Sequence, residues 1–134
     1  MGHLGLTTQF VNAFGGMKVQ AKTPEQQDVL LKDAKCFQDC GAFSLVLECV
    51  PAQIASTTTS LLSIPTIGIG AGAGVDGQVL VLQDLLGFSQ SFKPKFLRQY
   101  LNGFELFNDA FKRFHDDVTK GNFPNDQETY HENN

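Results

Sequence analysis

The sequence predicts an α/β fold whose β-strands form a parallel sheet. Two continuous apolar segments of strand length, residues 42–50 and 64–70, are typical of strands that are covered on both faces. Helical signals precede, separate and follow these segments, so strands and helices alternate along the chain. Three or four such βα units make up either half of a (β/α)8 barrel or a small open sheet.

The first forty residues predict a strand, a loop and a helix. Residues 1–6 (MGHLGL) are apolar enough to end a buried strand, and residues 7–17 predict a loop with a short helical turn. Thr23 then supplies an N-cap, Pro24 fits the first helical position, and Gln26 completes a capping box. Gly41 ends this helix. Its apolar residues recur at helical spacing: Val29, Leu30, Ala34, Phe37 and Cys40.

The middle of the chain contains one ambiguous segment. Residues 52–62 predict a modest helix, weakened by three consecutive threonines. The next segment, GQVLVLQDLLG, has the β-branched content of a strand. The gap that separates it from the preceding strand is too short for a parallel crossover. We therefore prefer a helix over residues 77–86, capped by Asp76 and ended by Gly87, while helix or strand stays open.

The last third of the chain predicts a short strand over residues 92–96 and a long helix over residues 97–120. An apolar stripe marks one face of this helix: Leu97, Leu101, Phe104, Phe107, Phe111, Phe114 and Val118. The stripe is a packing face or an oligomer surface. Gly121 and Pro124 end the helix, and residues 125–134 form a polar tail that we expect to be disordered.

Composition limits the classes of protein to which this chain can belong. At 134 residues, with 42% apolar and 18% charged side chains, the chain is long enough for one packed domain. A net charge of −4 and the lack of a basic stripe argue against a nucleic-acid surface. The apolar runs are too short to span a bilayer, and no secretory signal opens the sequence. We therefore expect neither nucleic acid nor membrane as a partner.

The three cysteines do not suggest a disulfide framework. Cys36 and Cys40 are four residues apart, unlike the spacing of zinc sites, and no matching pair of ligands follows. We interpret both as small apolar core residues and expect no metal site there. This cysteine usage fits a reducing compartment and therefore the cytoplasm, with an organellar location left open.

Glu48 interrupts the apolar run LVLECVP near the C-terminal end of a predicted parallel strand. Ligands of α/β folds gather at this end of the strands, so Glu48 lies where catalysis takes place. A carboxylate in an apolar setting has a raised pKa, which suits a general base. A structural ion pair with a nearby lysine or arginine accounts for its position equally well.

Other polar and glycine-rich positions carry weaker signals. His3 stands at an apolar strand end, where it could contact a substrate, although a structural role is commoner for such a histidine. Gly72, Gly74 and Gly77 form a GxGxxG pattern, but no acidic residue follows about twenty residues later. A dinucleotide site is therefore a weaker interpretation than a backbone that passes close to a ligand. Gln78 and Asp84 are either polar site residues or, in the preferred interpretation, a capping-region amide and an exposed helix carboxylate. We assign no role to His115, on the exposed side of the last helix, or to His131, in the tail.

Several motifs, taken together and in order, resemble the ketopantoate hydroxymethyltransferase family. They are GHLGLT, FGGMKVQ, LVLECVP, IPTIGIGAG, DGQVLVLQDLLG and FKPKF, and the resemblance extends from Gly2 to Phe123. It implies a (β/α)8 barrel enzyme of pantothenate biosynthesis that forms a homo-oligomer. Such an enzyme transfers a one-carbon unit from 5,10-methylenetetrahydrofolate to the keto acid 3-methyl-2-oxobutanoate, giving 2-dehydropantoate, while Mg2+ holds the keto acid.

The resemblance also implies roles for two residues of this chain. Glu48, the glutamate of the LECVP motif, is implied to be the base that removes a proton from C3 of the keto acid. His3, in the GHLGLT motif, is implied to be a neighbour of the substrate. Thr8, Ala21 and Gln83 depart modestly from the residues that are common in the family.

The N-terminal half of the family, with its Mg2+ ligands and a substrate-binding lysine, has no counterpart in this sequence. We therefore expect residues 1–124 to be the C-terminal half of the barrel, from a truncated chain or one begun at an internal methionine. We expect negligible transferase activity from it alone. The alternatives are a non-catalytic half-barrel that self-associates as a binding or scaffold protein, and a dinucleotide-binding module.

Overall fold

Parallel strands alternating with helices make up the fold, as the sequence predicts. The computed structural model describes residues 1–12, 15–90 and 93–132. Two compact units are present in the described chain, one built from residues 1–80 and 94–97 and the other from residues 81–93 and 98–134. The first unit contains the sheet and therefore carries the predicted α/β class.

The sheet of the first unit has four strands in chain order. Strands β1 (Gly2–Gly5), β2 (Leu45–Glu48), β3 (Thr66–Ile69) and β4 (Gly77–Gln78) are hydrogen-bonded in that sequence, and each pair is parallel. Helix α1 (Pro24–Asp39) connects β1 to β2, and helix α2 (Ala52–Leu61) connects β2 to β3. A short 3-10 turn (Thr8–Phe10) follows β1. The strands predicted over residues 42–50 and 64–70 are present but shorter.

The core lies on the face of the sheet against which the helices pack. Leu45 and Leu47 of β2 are completely buried in one cluster with Ala34 of α1 and Ala55 of α2. Removing leucine side chains from water in this way stabilises the fold by about 1.5–3 kcal/mol each. The alternate residues of β2 are only partly buried. The expected cover of β2 is therefore complete on the face of the helices and partial on the other face.

Helix α1 begins where the sequence predicts. The Thr23 hydroxyl accepts a hydrogen bond from the backbone N–H of Gln26 at 3.3 Å, and the Gln26 side-chain oxygen accepts one from the N–H of Thr23 at 3.3 Å. This capping box satisfies N–H groups that have no partner within the helix. At the other end Gly41 has φ +88°, a left-handed conformation that glycine adopts at low cost.

The apolar face of α1 is less buried than its spacing predicts. Leu30 and Ala34 are buried, but Val29 is 56% exposed and Phe37 is 38% exposed. Cys36 and Cys40 are exposed as well, so the interpretation of these cysteines as core residues is wrong. The physical reason is the position of α1 beside β1, which is an edge strand of the described sheet. A helix at a sheet edge has strands beneath only part of its apolar surface.

Helix α2 keeps its three threonines by bonding them to its own backbone. The hydroxyls of Thr57, Thr58 and Thr59 donate to the carbonyl oxygens four residues earlier at 2.8–3.0 Å. Thr58 is completely buried, and this bond removes the cost of an unpaired buried hydroxyl. The modest helix predicted over residues 52–62 is therefore confirmed.

The ambiguous segment is a strand first and a helix second. Gly77 and Gln78 form β4, which pairs with the middle of β3, and the short helix α3 (Leu82–Leu85) follows. The preferred helix over residues 77–86 is therefore wrong for its first half. A connection of seven residues is sufficient because it carries no helix: a Cβ atom on Gly74 would lie 2.8 Å from Ser56 Cβ, and one on Gly72 would collide with Ala52. The bare backbone thus lies directly on α2.

Asp76 ends this connection and holds β4 next to the start of β3. Its carboxylate accepts hydrogen bonds from the Thr66 backbone N–H at 2.8 Å and from the Thr66 hydroxyl at 3.0 Å. Thr66 is completely buried, and its hydroxyl also contacts the Thr59 hydroxyl at 2.8 Å. The expectation that Asp76 caps a helix is therefore wrong, since it binds the first residue of a neighbouring strand.

The second unit is built around helix α4 (Gly103–Lys120). The predicted helix starts six residues too early because Tyr100 and Gly103 donate backbone hydrogen bonds, each at 2.8 Å, to Leu85 and Leu86 at the end of α3. The apolar stripe lies largely in solvent, although Phe107 stacks edge-on against Phe88 with ring centroids 4.7 Å apart. Gly121 ends the helix with φ +72°, as predicted.

Two further predictions concern the C-terminal third. Phe92 lies outside the described residues, and residues 93–96 form no strand, so the short strand over residues 92–96 is not observed in its described part. Leu97 donates to the Pro94 carbonyl at 3.0 Å, which closes a turn there. Asp126–Glu128 form a 3-10 turn within the predicted polar tail. Across the described ranges, none of the helices is both long and apolar enough to cross a bilayer.

Candidate functional site

Glu48 is the last residue of β2 and lies at the C-terminal edge of the sheet. The parallel register places Gly5 of β1 and Ile69 of β3 on either side of it. The C-terminal edge is where α/β folds bind their ligands. The sequence therefore predicts correctly which end of the strand carries this carboxylate.

The side chain of Glu48 lies on the face of the sheet opposite the helices. Successive residues of a strand point to opposite faces, and Leu45 and Leu47 belong to the core that α1 and α2 cover. Val46 and Glu48 therefore point the other way, as does His3, which pairs in register with Val46. An outward, helix-facing carboxylate would have contradicted a catalytic role, and this arrangement avoids that contradiction.

His3 and Glu48 form a direct pair. The His3 Nε2 and Glu48 Oε2 atoms are 3.0 Å apart, although the two residues are 45 positions apart in the sequence. Because an ionised carboxylate only accepts hydrogen bonds, the N–H group at Nε2 of His3 donates the hydrogen bond to Glu48. The side chains are 36% and 17% exposed, so the pair is shielded from water on the Glu48 side and open on the His3 side. The expected alternative, a lysine or arginine partner for Glu48, is not seen among the described residues.

The backbone around Glu48 is fixed by close contacts. Gly5 has φ +94°, and a Cβ atom on it would collide with the Glu48 carbonyl oxygen. The same oxygen accepts a hydrogen bond from the Leu6 N–H at 2.9 Å. Only glycine allows β1 to approach β2 this closely at a positive φ. The position of Glu48 therefore depends on a glycine that sequence reasoning did not single out.

Cys49 turns the chain away from the sheet directly after Glu48. It adopts φ +50°, which costs a non-glycine residue about 1 kcal/mol or more. Its N–H donates to the Ile69 carbonyl at 2.9 Å, and its carbonyl accepts from the Gln20 N–H at 2.8 Å. Burial first, and the negative charge of Glu48 second, raise the pKa of the Cys49 thiol. The thiol is therefore protonated at neutral pH and is a poor nucleophile.

A groove of about 890 Å³ runs between β1 and α1. His3 lines it together with apolar residues that include Val29, Leu30 and Phe37, whereas Glu48 does not. The groove therefore reaches the site through His3 and Gly5 and follows the open edge of the sheet.

The residues of the described chain do not fit a divalent metal by themselves. Within residues 1–12, 15–90 and 93–132, no three histidine, cysteine, aspartate or glutamate side chains converge as metal ligands would. The Cys36 and Cys40 pair forms no such group either. Mg2+ requires several oxygen ligands in near-octahedral geometry, and Glu48 offers only its own carboxylate.

The glycine pattern has a packing function in the structure. Gly72 and Gly74 lie against α2, and Gly77 begins a strand instead of a helix. A dinucleotide fingerprint requires a helix N-terminus at this point, so that interpretation is wrong. At Gly72 and Gly74 the backbone lies close to α2. The preferred alternative, a backbone that passes close to a ligand, stays a prediction.

The remaining polar candidates belong to other parts of the chain. The Gln78 amide donates to the Gly72 carbonyl at 2.8 Å and closes the glycine-rich connection. Asp84 belongs to α3 in the second unit, His115 is on an exposed face of α4, and His131 is exposed near the chain end.

Comparisons with known proteins identify the relatives of this sequence. A family model described as ketopantoate hydroxymethyltransferase matches residues 1–126. A 3-methyl-2-oxobutanoate hydroxymethyltransferase of Bdellovibrio bacteriovorus is 54% identical over 130 residues, which cover 97% of this chain and 49% of the relative. The enzymes of the same name from Helicobacter pylori and Francisella tularensis are 54% and 49% identical, covering 98% and 97% of this chain. The chain spans about half the length of the curated relatives it matches.

Proposed function

Because this chain belongs to the ketopantoate hydroxymethyltransferase family, we propose that it is part of a 3-methyl-2-oxobutanoate hydroxymethyltransferase. Residues 1–124 form the C-terminal half of a (β/α)8 barrel in this proposal, and residues 125–134 form a polar tail. The whole enzyme is cytoplasmic, forms a homo-oligomer and serves pantothenate biosynthesis. The observation that carries the proposal is the carboxylate of Glu48 at the C-terminal edge of a parallel sheet, on the face away from the helices.

Glu48 acts as the general base in the proposed reaction. Its carboxylate accepts the proton of C3 of 3-methyl-2-oxobutanoate, and the electron pair of the broken C–H bond forms the C2–C3 double bond of an enolate. Water adds to the methylene carbon of 5,10-methylenetetrahydrofolate, both C–N bonds of this carbon break, and tetrahydrofolate leaves with its two N–H bonds restored, so the one-carbon unit is freed as formaldehyde. The enolate carbon attacks this carbonyl carbon, and the carbonyl oxygen takes up the proton that Glu48 accepted and becomes the hydroxyl group of the product. A positioned base of this kind contributes about 10²–10⁴-fold in rate.

His3 is proposed to orient Glu48 and to contact the substrate. The 3.0 Å bond between Nε2 and the carboxylate limits the rotation of the Glu48 side chain. The half-exposed ring also leaves its outer side open to a bound keto acid. A base that is already oriented loses less entropy when the substrate binds.

Mg2+, which the resemblance implies, is proposed to be held by side chains from the part of the longer relatives that this chain does not cover. The described residues lack a ligand set for it. The chain alone is therefore expected to have negligible transferase activity. Its two outer strands, β1 and β4, also leave backbone groups unpaired in the described sheet, which favours aggregation.

Joining the full chain to the missing part of a relative tests this proposal. The 134-residue chain replaces the matching half of the Bdellovibrio bacteriovorus enzyme, and we call the product the fused protein. In deuterated buffer containing Mg2+, removal of the C3 proton exchanges it for deuterium. The methyl doublet of 3-methyl-2-oxobutanoate then collapses to a singlet in the proton NMR spectrum. We expect exchange with the fused protein and only the Mg2+ background with the chain alone.

Substitution of Glu48 separates the base from the fold. Glu48→Gln keeps the shape of the side chain but removes the base, and we expect exchange to fall about a hundredfold or more. Glu105→Gln, an exposed glutamate on α4, is the matched control and should retain exchange. If the folded Glu48→Gln variant exchanges the C3 proton at the same rate as the unsubstituted fused protein, the assignment of the base is wrong.

A second candidate function is that of a non-catalytic scaffold that self-associates. It is favoured by the apolar groove along β1 and by the exposure of Val29 and Phe37 beside it. Sedimentation that gives a stable dimer, together with calorimetry that gives no Mg2+ binding, would support it. A monomeric chain would contradict it.

A further inference from the structure

The ring of Phe96 packs directly on the backbone at the end of β3. Phe96 belongs to the short segment of residues 94–97 that is part of the first unit. A Cβ atom placed on Gly70 would lie 2.7 Å, 3.0 Å and 3.1 Å from the Cδ1, Cγ and Cε1 atoms of this ring. Any side chain at position 70 would therefore push the ring away, and glycine is needed for the contact.

Gly70 is also suited to this place by its conformation. It has φ +65° and turns the chain directly after Ile69, the last residue of β3. Cys49 turns the chain in the same left-handed way directly after Glu48 in β2. The two turns are adjacent in the sheet, and the Cys49 N–H donates to the Ile69 carbonyl at 2.9 Å.

This arrangement brings an aromatic surface to the same sheet edge as the carboxylate. Ile69 and Glu48 are register partners on neighbouring strands, which lie about 4.8 Å apart. Gly70 is one residue further along, about 3.3 Å, and the ring is in van der Waals contact with it. The ring thus lies within about 10 Å of the Glu48 backbone, a span that a small keto acid can bridge together with the glutamate side chain.

Part of the Phe96 surface is exposed. The residue is 36% exposed, although part of its ring lies on Gly70. A half-exposed aromatic ring offers apolar contact area at a low cost in side-chain entropy, because it has two rotatable bonds. The proposed substrate has one apolar end, the two methyl groups on C3, and these groups surround the carbon from which Glu48 takes the proton.

We propose that Phe96 determines which keto acid the site accepts, by forming the apolar wall that contacts the branched alkyl end of the substrate. Gly70 is the positioning residue that lets the ring lie at this place. The inference rests on the proposed function of Glu48 and adds the residue that distinguishes branched from unbranched keto acids. The role that we propose for Phe96 is an apolar contact with the substrate and involves no chemical step.

Comparison of two substrates in the fused protein tests this role. The exchange of C3 protons is measured for 3-methyl-2-oxobutanoate and for 2-oxobutanoate, which lacks one methyl group. A methyl group held in an apolar contact is worth about tenfold or more in kcat/KM. We expect Phe96→Ala to lower the preference for the branched keto acid about tenfold, and Phe96→Leu, which keeps apolar volume, to retain most of it.

Phe43→Ala is the matched control. Phe43 is 72% exposed and precedes β2, so it lies at the opposite end of the same sheet. We expect it to leave the ratio of the two kcat/KM values unchanged. Circular dichroism verifies that each variant is folded. If Phe96→Ala is unfolded, the role of Phe96 is decided by comparing the ratio of the two kcat/KM values in Phe96→Leu with that in Phe96→Tyr.

The outcomes separate this inference from the proposed function. If exchange depends on Glu48 but neither Phe96→Ala nor Phe43→Ala changes the ratio of the two kcat/KM values, the role of Phe96 is overturned. The assignment of Glu48 as the base then remains. A folded fused protein without exchange of either keto acid overturns both. A ratio that falls with Phe96→Ala, stays largely unchanged with Phe96→Leu and does not change with Phe43→Ala supports the inference.

Discussion

Replacing Gly5 with alanine should move the backbone that carries Glu48. Gly5 has φ +94°, and an added Cβ would collide with the Glu48 carbonyl oxygen. Gly41 has almost the same φ, +88°, yet a Cβ there meets nothing within 4 Å. The pair Gly5→Ala and Gly41→Ala therefore separates the steric cost of the contact from the cost of the left-handed conformation.

The magnitude follows from the bonds at stake. A left-handed alanine costs about 1 kcal/mol at either position, and the gain from a stiffer unfolded chain is the same for both. At position 5 the collision also separates the Glu48 carbonyl from the Leu6 N–H, now 2.9 Å away. Leu6 is 1% exposed, and an unpaired buried N–H costs about 1–3 kcal/mol. We expect Gly5→Ala to lower the free energy of unfolding by about 3 kcal/mol and Gly41→Ala by about 1 kcal/mol.

Urea unfolding followed by circular dichroism measures both values. Because the two glycines belong to the same compact unit, separate unfolding of the other unit does not affect the comparison. Hydrogen exchange of the Leu6 amide gives a local measurement, and its protection should fall in Gly5→Ala only. Equal free energies for the two variants, with unchanged protection of Leu6, would refute the reasoning.

Three further predictions concern the first unit. Leu47→Ala, in the completely buried core, should lower the free energy of unfolding measured with urea by about 2–5 kcal/mol. Leu61→Ala, at a site 49% exposed, should lower it by less than about 1 kcal/mol, and similar values for the two variants would contradict the described core. Asp76→Ala removes the carboxylate oxygen that accepts two hydrogen bonds from Thr66 and should cost about 1–3 kcal/mol, with increased hydrogen exchange at the Thr66 amide; an unchanged amide would count against the bond. Because the pKa of the Cys49 thiol is raised above its usual 9.0, its alkylation by iodoacetamide at about pH 8 should be slower than that of a free thiol and should accelerate as the pH rises past 9.0. The folded state then loses stability above pH 9.0, since the unfolded thiol ionises first, and a constant stability across this range would argue against the shift.

Local signals in the sequence predict the parts of the fold that short-range physics determines. The capping box of Thr23 and Gln26 is present bond for bond, because its partners are three residues apart. The strand that carries Glu48 is recognisable from a continuous apolar run, and it ends at Glu48, three residues before Pro51. These features depend on neighbours in the chain and need no knowledge of the rest of the molecule.

Features that depend on distant partners cannot be predicted in the same way. The contact between His3 and Glu48 joins residues 45 positions apart, and the sequence singles out each without the other. The sequence favours a helix at β4 because the connection before it is short, and the contact that makes this length sufficient involves α2. The spacing overestimates the burial of Val29 and Phe37 in α1, since it reveals which face is apolar but not how much structure covers it.

The seam between the glycine-rich connection and α2 has a consequence for how this chain tolerates sequence change. The connection between β3 and β4 contacts α2 at two points, Gly72 on Ala52 and Gly74 on Ser56, and larger residues would not fit there. A larger residue in place of Ala52 or Ser56 would therefore displace β4, which is distant from the helix in the sequence. Positions 52 and 72, and likewise 56 and 74, are expected to change together or to stay small.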